Sequence, residues 1–317
     1  MLLVDDGSTD GSEKVCDEYA QAHPEGTFPI VRVIHQKNGG ICRARNVALG
    51  EARGEYIGFC DHDDMYLPGL VETAYTKAKQ YNADVVKRGA DERKLKFGRE
   101  VPTSRRTKYE ERMYKPEDIK HMFMKMYFAG LLTWVWDGFY KREFIMRQGL
   151  KFDEFFRMGG EDGAFMLNLV GCLPVFVTLP QVYYRRVVRK GFSTSTKPNK
   201  HLADVVYRLN AVMMATINKI GVGNEETKDD IIFYLSRRYL RGVLSSYYKT
   251  TSRFSVKEFL KIIENIRTQT FLPSYFLSGD AMKVFKRDMQ SGFIYYLFKH
   301  KYDYILAAFY YVKWIVR

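Results

Sequence analysis

Two short apolar runs that break abruptly into carboxylates constrain this chain more than any other feature. Residues 56–60 (Tyr-Ile-Gly-Phe-Cys) lead into Asp61, His62, Asp63 and Asp64, and residues 2–4 (Leu-Leu-Val) lead into Asp5 and Asp6. A strand buried in a parallel sheet reads as a continuous apolar run, and such sheets bind ligands at the strands' carboxyl ends. Asp61 and Asp63 stand two apart, on one face of an extended segment, where ionised carboxylates repel unless a cation sits among them. Hard divalent ions such as Mg2+ or Mn2+ prefer this oxygen-rich setting and usually share themselves with substrate phosphates. The plain alternative is an acidic turn after a strand, the favourite for a lone Asp-x-Asp.

The surrounding pattern argues for the first reading. Asp10, with Glu13 three residues on, predicts a helix running towards Ala22. Residues 30–35 read as a second strand, residues 41–52 as a helix with Ala44, Val47 and Ala48 on one face, and residues 56–60 as a third strand. This rhythm predicts an α/β fold, a doubly wound and mostly parallel sheet with flanking helices. Residues 67–81 read as a further helix and 84–87 as a strand. The charged stretch 91–115 is expected to be an exposed loop; Pro116 and Glu117 open a helix, and residues 132–140 and 174–177 look extended. After about residue 195 the strand signals stop. Helical patterns follow at 201–220, 229–248 and 255–266, the last with a capping box of Ser255 and Glu258 and a stripe of Phe259, Ile262, Ile263 and Ile266.

With 317 residues and 46% hydrophobic content, the chain can bury a sizeable core. Its four cysteines are scattered without pairing, as in a reducing compartment, and its six histidines form no zinc-type spacing. No signal peptide is expected, and no run of about 20 apolar residues suggests a spanning helix. The expected location is therefore cytoplasmic. A net charge of +13 calls for an anionic partner. The basic residues are spread over several segments rather than along one stripe, which favours phosphates or an acidic membrane surface over nucleic acid.

Four motifs follow one another in order: residues 2–12 (Leu-Leu-Val-Asp-Asp-Gly-Ser-Thr-Asp-Gly-Ser), residues 38–48 (Asn-Gly-Gly-Ile-Cys-Arg-Ala-Arg-Asn-Val-Ala), the acidic stretch at 61–64, and Gly159-Gly160-Glu161-Asp162. Together they resemble the inverting, nucleotide-sugar-dependent glycosyltransferases of family 2. The resemblance covers roughly residues 1–195, which it makes a catalytic domain of the Rossmann-like GT-A type. Residues 196–317 would be a helical C-terminal region with a potential for membrane contact. One departure stands out. The family's sheet begins with a strand and helix that would precede residue 2, a unit of about 30 residues, so the domain looks truncated at its N-terminus.

The resemblance implies roles. Asp63 would hold Mn2+ or Mg2+, with Asp61 nearer the donor's ribose or assisting through water. Asp5 and Asp6 would begin the nucleotide pocket, Asp6 being the better candidate for the base; the alternative is that one of the two merely caps the following turn. The Gly39-Gly40 N–H groups could approach phosphate, Arg45 could reach the nucleotide, and Asn46 is expected to tether backbone. His62 falls on the opposite face from the two aspartates.

Asp162 would be the base that takes the acceptor's proton, a task suited to a carboxylate ionised at neutral pH; the alternative is an aspartate that merely begins a helix. Trp134, Trp136 and Asp137, with Glu161, are the candidates for holding the acceptor, although tryptophans at alternating positions are as often core. Arg185, with Arg186 and Lys190, would start a basic loop over the diphosphate.

At the far end, residues 293–301 and 304–314 interleave aromatics with lysines. That composition suits either the headgroup region of an anionic membrane or a helix docked on the core. The implied function is transfer of a sugar, with a UDP-sugar as the expected donor, to a carbohydrate or lipid-linked acceptor in cell-surface polysaccharide or glycolipid synthesis. The rival reading is a non-catalytic nucleotide-binding or scaffold protein that has lost its first strand.

Overall fold

The computed structural model describes residues 1–96, 98–188 and 201–316. In chain order the elements are β1 (Leu2–Asp5), α1 (Ser12–Gln21), β2 (Arg32–His35), α2 (Ile41–Glu51), β3 (Tyr56–Gly58), β4 (Met65–Tyr66), α3 (Leu70–Tyr81), β5 (Val85–Lys96), β6 (Arg99–Thr107), β7 (Arg112–Tyr114), α4 (Pro116–Phe128), β8 (Gly138–Lys141), α5 (Arg142–Arg147), α6 (Glu161–Val170) and β9 (Phe176–Val188). Among the described residues, helices alone follow: α7 (Leu202–Ile220), α8 (Lys228–Tyr234), α9 (Arg241–Thr250), α10 (Val256–Arg267), α11 (Ala281–Arg287), α12 (Met289–Lys299) and α13 (Asp303–Ile315). The chain forms two compact units. The first comprises Met1–Lys115 and Thr133–Lys190, the second Pro116–Leu132 and Gly191–Arg317. Residues 116–132, which lie inside the expected 1–195 segment, thus group with the C-terminal helices.

In the first unit β1 and β2 pair in parallel as a two-stranded sheet. A second, seven-stranded sheet runs β3-β8-β5-β9-β4, with β6 added on β5 and β7 on β9. Among the described residues, only β5 and β9 are parallel there; the other pairings are antiparallel. The sheet is therefore mixed rather than mostly parallel, because β8, β6 and β7 add neighbours that no strand–helix–strand crossover supplies. The helix α3 covers one face through Leu70, Ala74 and Ala78, four residues apart, which pack with Val86, Phe139, Val177 and Leu179. The other central side chains of β5 and β9, including Val85 and Phe176, are also buried.

The charged stretch 91–115 is not a loop. β5 continues through it to Lys96 and turns into β6, and the charges pair across strands: Arg186 donates to Glu92 at 2.7 Å, and Arg185 lies 3.6 Å from Asp91, its partner in the ladder. Opposite charges facing each other on neighbouring strands support a sheet without apolar side chains, and an apolar count does not see this.

In the second unit Ser255 caps α10, its hydroxyl accepting the Glu258 N–H at 3.4 Å, and Phe259, Ile263 and Ile266 are buried along the expected stripe. Arg267 pairs with Asp303 at 2.6 and 2.7 Å and stacks on Phe298, joining α10 to α12 and α13. The region expected to be one helix at 229–248 is broken into α8, a π-helical segment (Leu235–Leu240) and α9. Among the described residues, no helix is long and apolar enough to cross a membrane.

Candidate active site

Arg45 organises the candidate site. It lies on the buried face of α2 with Cys42 and Leu49, positions that recur on one side of a helix. Its guanidinium packs over the rings of Phe152 and Phe59, 5.2 and 5.9 Å from their centroids. From there Nη2 donates to Asp61 Oδ1 at 2.8 Å, and Nη1 donates to Asp162 Oδ1 at 2.5 Å and to Glu161 Oε1 at 3.3 Å. Carboxylates about a hundred residues apart in sequence thus converge on one buried cation whose planar fork suits several oxygens at once.

Local chemistry explains the placement of each carboxylate. Glu161 and Asp162 occupy the first turn of α6, where the helix dipole favours negative charge. Gly160 precedes them with φ 88°, a left-handed conformation that glycine adopts freely. Gly160 is the capping residue, so Asp162 is not a helix cap. Its Oδ2 instead accepts the Val135 N–H at 3.3 Å.

Burial pushes the Glu161 carboxyl up to about 7, with Asp162 adding to the shift and Arg45 opposing it. Burial also raises Asp162, against the pull of Arg45. Burial disfavours the charge of Arg45, but Asp162, Asp61 and Glu161 outweigh it and hold the guanidinium above its ordinary range.

The acidic turn after β3 is anchored from behind by a residue the sequence reading passed over. Asp64 accepts the Val187 N–H at 2.9 Å and the Tyr184 hydroxyl at 2.8 Å, and the same hydroxyl accepts the Asp61 N–H at 3.2 Å. Asp64 and Tyr184 therefore fix the turn to β9, while His62 is exposed and Asp61 and Asp63 are half-buried. A third carboxylate in the triplet was the available signal for such an anchor. Asn46 holds the backbone of Phe152 from both sides, Nδ2 donating to its carbonyl and Oδ1 accepting its N–H, each at 2.8 Å.

Other expected residues lie differently. Asp6 accepts the N–H groups of Gly39 and Gly40 at 2.9 and 2.7 Å, and the Gln36 amide at 2.5 Å. Those glycine N–H groups therefore face a carboxylate rather than an open phosphate position. Asp5 accepts the Ser8 N–H at 3.0 Å and meets His35 at 2.9 Å; hydrogen bonds from His35 and Ser8 pull its carboxyl down to about 2.

Asp137, expected at the acceptor, is fully buried. It is ion-paired with Lys87 and accepts the Tyr109 hydroxyl at 3.1 Å, so it is a core group out of a ligand's reach. Trp136 is also core, the middle ring of a stack 5.2 Å from Trp134 and 4.6 Å from Tyr184; Trp134 is the more exposed end. Arg185 faces Asp91 in the sheet, as described above. Lys190 and the rest of the expected basic loop lie outside the described residues.

Residues 1–139 match the model of glycosyl transferase family 2. The uncharacterized glycosyltransferase EpsJ of Bacillus subtilis is 33% identical over 171 residues, 53% of this chain and 46% of that protein. Glycosyltransferase GlyG of Streptococcus pneumoniae is 41% identical over 87 residues, 27% of each chain. The matched stretches thus span less than half the length of these curated relatives. Among solved structures, S. aureus TarS 1-349 in complex with UDP superposes with a TM-score of 0.60 at 18% identity, covering 95% of this chain and 81% of that one. At that identity the likeness is one of fold. The mixed sheet with flanking helices is the GT-A-type architecture expected from the sequence, followed by the expected helical region.

Proposed function

We propose that this protein is an inverting, metal-assisted glycosyltransferase that moves a sugar from a nucleoside-diphosphate donor to an acceptor hydroxyl. The observation that carries the reading is the convergence of Asp61, Glu161 and Asp162 on the guanidinium of Arg45. This joins the donor-side strand end to the helix bearing the candidate base. A UDP-sugar is the donor we favour, since the structural neighbour TarS binds UDP. The relatives' kind of chemistry suggests a role in cell-surface polysaccharide or glycolipid synthesis.

In this mechanism Asp162 accepts the proton of the acceptor hydroxyl. The oxygen attacks the anomeric carbon on the face opposite the diphosphate, the bond to the diphosphate oxygen breaks, and configuration inverts. Arg45 orients Asp162 and favours its ionised form against burial, and Asp61 lies towards the donor. Glu161, sharing the same cation, borders the acceptor side, and the exposed Trp134 ring is a wall for the acceptor sugar.

A divalent ion fits the donor chemistry available. Among the described residues no three metal-ligating side chains come together, but Mg2+-type ions typically take one or two carboxylates plus substrate phosphates. Asp63, with Asp61, would supply the carboxylate oxygens for such a shared ion. When bound, Mn2+ or Mg2+ would neutralise charge on the departing diphosphate.

Membrane contact is supported by α13. Leu306, Ala307 and Tyr310 are buried, while Tyr304, Ile305, Val312 and Ile315 on other faces are exposed. We read the protein as a cytoplasmic-side enzyme touching an anionic surface peripherally through this face.

The test is a donor screen: nucleotide sugars incubated with the protein, with and without Mn2+, and assayed for release of the nucleoside diphosphate. Release from a UDP-sugar that depends on the ion supports the reading. Binding of UDP with no release from any donor, in the presence of a range of glycan acceptors, would favour the non-catalytic alternative.

A further inference from the structure

The second unit contains a cavity of about 470 Å³, within the range of small-ligand pockets, which is roughly 300–1,000 Å³. It is lined by α7, the π-helical segment, α9 and α10, and none of the candidate catalytic carboxylates borders it. We propose that this cavity is a binding site for a neutral saccharide, holding a stretch of glycan acceptor or product. It deepens the glycosyltransferase reading above and rests on it only for the identity of the glycan.

The lining chemistry selects the ligand class. In a protein with a net charge of +13, the lining contains no lysine or arginine, and its one ionisable carboxylate, Asp204, is largely exposed. A phosphate or nucleotide would find no cation there. The walls combine the rings of Tyr207, Tyr239 and Tyr247 and the side chains of Val243, Ile262 and Ile266 with hydroxyls and amides. A sugar ring has the matching character, an apolar face of C–H groups bordered by hydroxyls, and tyrosine suits such a ligand because its ring is apolar and its tip polar.

Two polar groups are ready to bind. Tyr239 is almost wholly buried and lines the cavity, which its hydroxyl can serve as donor or acceptor, and Asn265 lines it from an exposed position with its side-chain amide. The backbone around Tyr239 points the same way. It sits in the π-helical segment Leu235–Leu240, and such segments inside α-helices are frequent at functional sites. The extra residue rotates the register of the chain, and Tyr239 then packs beside Tyr207 and Phe271.

The test uses the full chain without nucleotide. Methyl glycosides of glucose, galactose and N-acetylglucosamine are titrated and followed by saturation-transfer NMR, with inorganic phosphate and an apolar dye (anilinonaphthalene sulfonate) as rival probes. At least one glycoside should bind, and Thr250→Trp, which fills the mouth from an exposed position, should weaken it about tenfold or more. Asn265→Trp on the facing helix gives an independent block should the first variant fold poorly, and Tyr239→Phe should weaken the same glycoside.

Binding that survives both tryptophan variants, or no glycoside binding at all, overturns the proposal. Dye binding abolished by Thr250→Trp but not displaced by any glycoside would make the cavity a site for apolar ligands and overturn it equally. Because nucleotide is absent, failure here is separable from failure of the donor screen. A protein that releases no UDP could still bind glycoside in this cavity, and one blocked at Thr250 should still release UDP from its donor.

Discussion

Replacing Arg45 by glutamine removes the one cation that three carboxylates share. The Arg45 side chain is only 10% exposed, and the Glu161 and Asp162 side chains are 14% and 15% exposed. Solvent therefore cannot substitute for the guanidinium. Breaking a buried ion pair by deleting one partner costs about 3–5 kcal/mol. Asp61 is about one-third exposed and loses less, so we expect the lower end, about 3 kcal/mol at pH 8.

The sign of the pH dependence is the sharper test. Burial already holds Glu161 and Asp162 above their unfolded values, and removing Arg45 raises both further. The folded variant then binds more protons than the unfolded chain, so its stability falls as pH rises. The deficit relative to the parent should be larger at pH 8 and shrink on acidification through about 7, where Glu161 of the parent takes up its own proton. Arg45→Lys keeps the charge but not the fork, and should lose less. Urea unfolding followed by tryptophan fluorescence at several pH values measures both quantities. A deficit of less than about 1 kcal/mol at pH 8, or one that does not change with pH, would refute the argument.

Other consequences follow from the same geometry. The rate of sugar transfer should rise with pH through about 7 as the Glu161–Asp162 pair ionises, and Glu161→Gln should move that limb to lower pH by removing the like charge beside Asp162; an unmoved limb in rate–pH profiles would separate the two groups. Asp137→Ala should destabilise the fold by about 3–5 kcal/mol, because it strands Lys87 in the core. The fraction that remains folded should show an unchanged acceptor KM, which distinguishes a core pair from an acceptor contact. Glutamate at Ile305, Val312 and Ile315 together should weaken binding to anionic vesicles in sedimentation assays while leaving the helical circular dichroism intact, since these side chains are exposed; undiminished binding would remove α13 from the membrane.

Much of the first unit was legible in the sequence because apolar runs and helix caps are local signals. α1, α2 and α3 fall where their patterns predict, and Glu161 and Asp162 do begin a helix. What escaped depends on partners distant in the chain. The charged end of β5 is held to β9 by cross-strand ion pairs, and such a stretch reads as a loop when only apolar residues are counted. Asp137 and Trp136 carry the same residue types whether they face a ligand or the core, and only the positions of Lys87, Trp134 and Tyr184 decide. Arg45 is similar. Its motif made it a candidate for the nucleotide, but the convergence on Asp61, Glu161 and Asp162 depends on the tertiary fold. The π-helical break before α9 leaves no mark on an apolar stripe that is helical on either side.

The central claim is that Asp162 serves as the base while the donor is held elsewhere, and Asp162→Asn tests it most directly. Asparagine keeps the size and hydrogen-bonding capacity of the side chain but cannot take the acceptor's proton. Turnover with the donor found in the screen and UDP binding by calorimetry should be measured on one preparation. The account predicts a fall in turnover of about 10²- to 10⁴-fold with UDP affinity nearly unchanged. Near-normal turnover by the Asp162→Asn protein would contradict it.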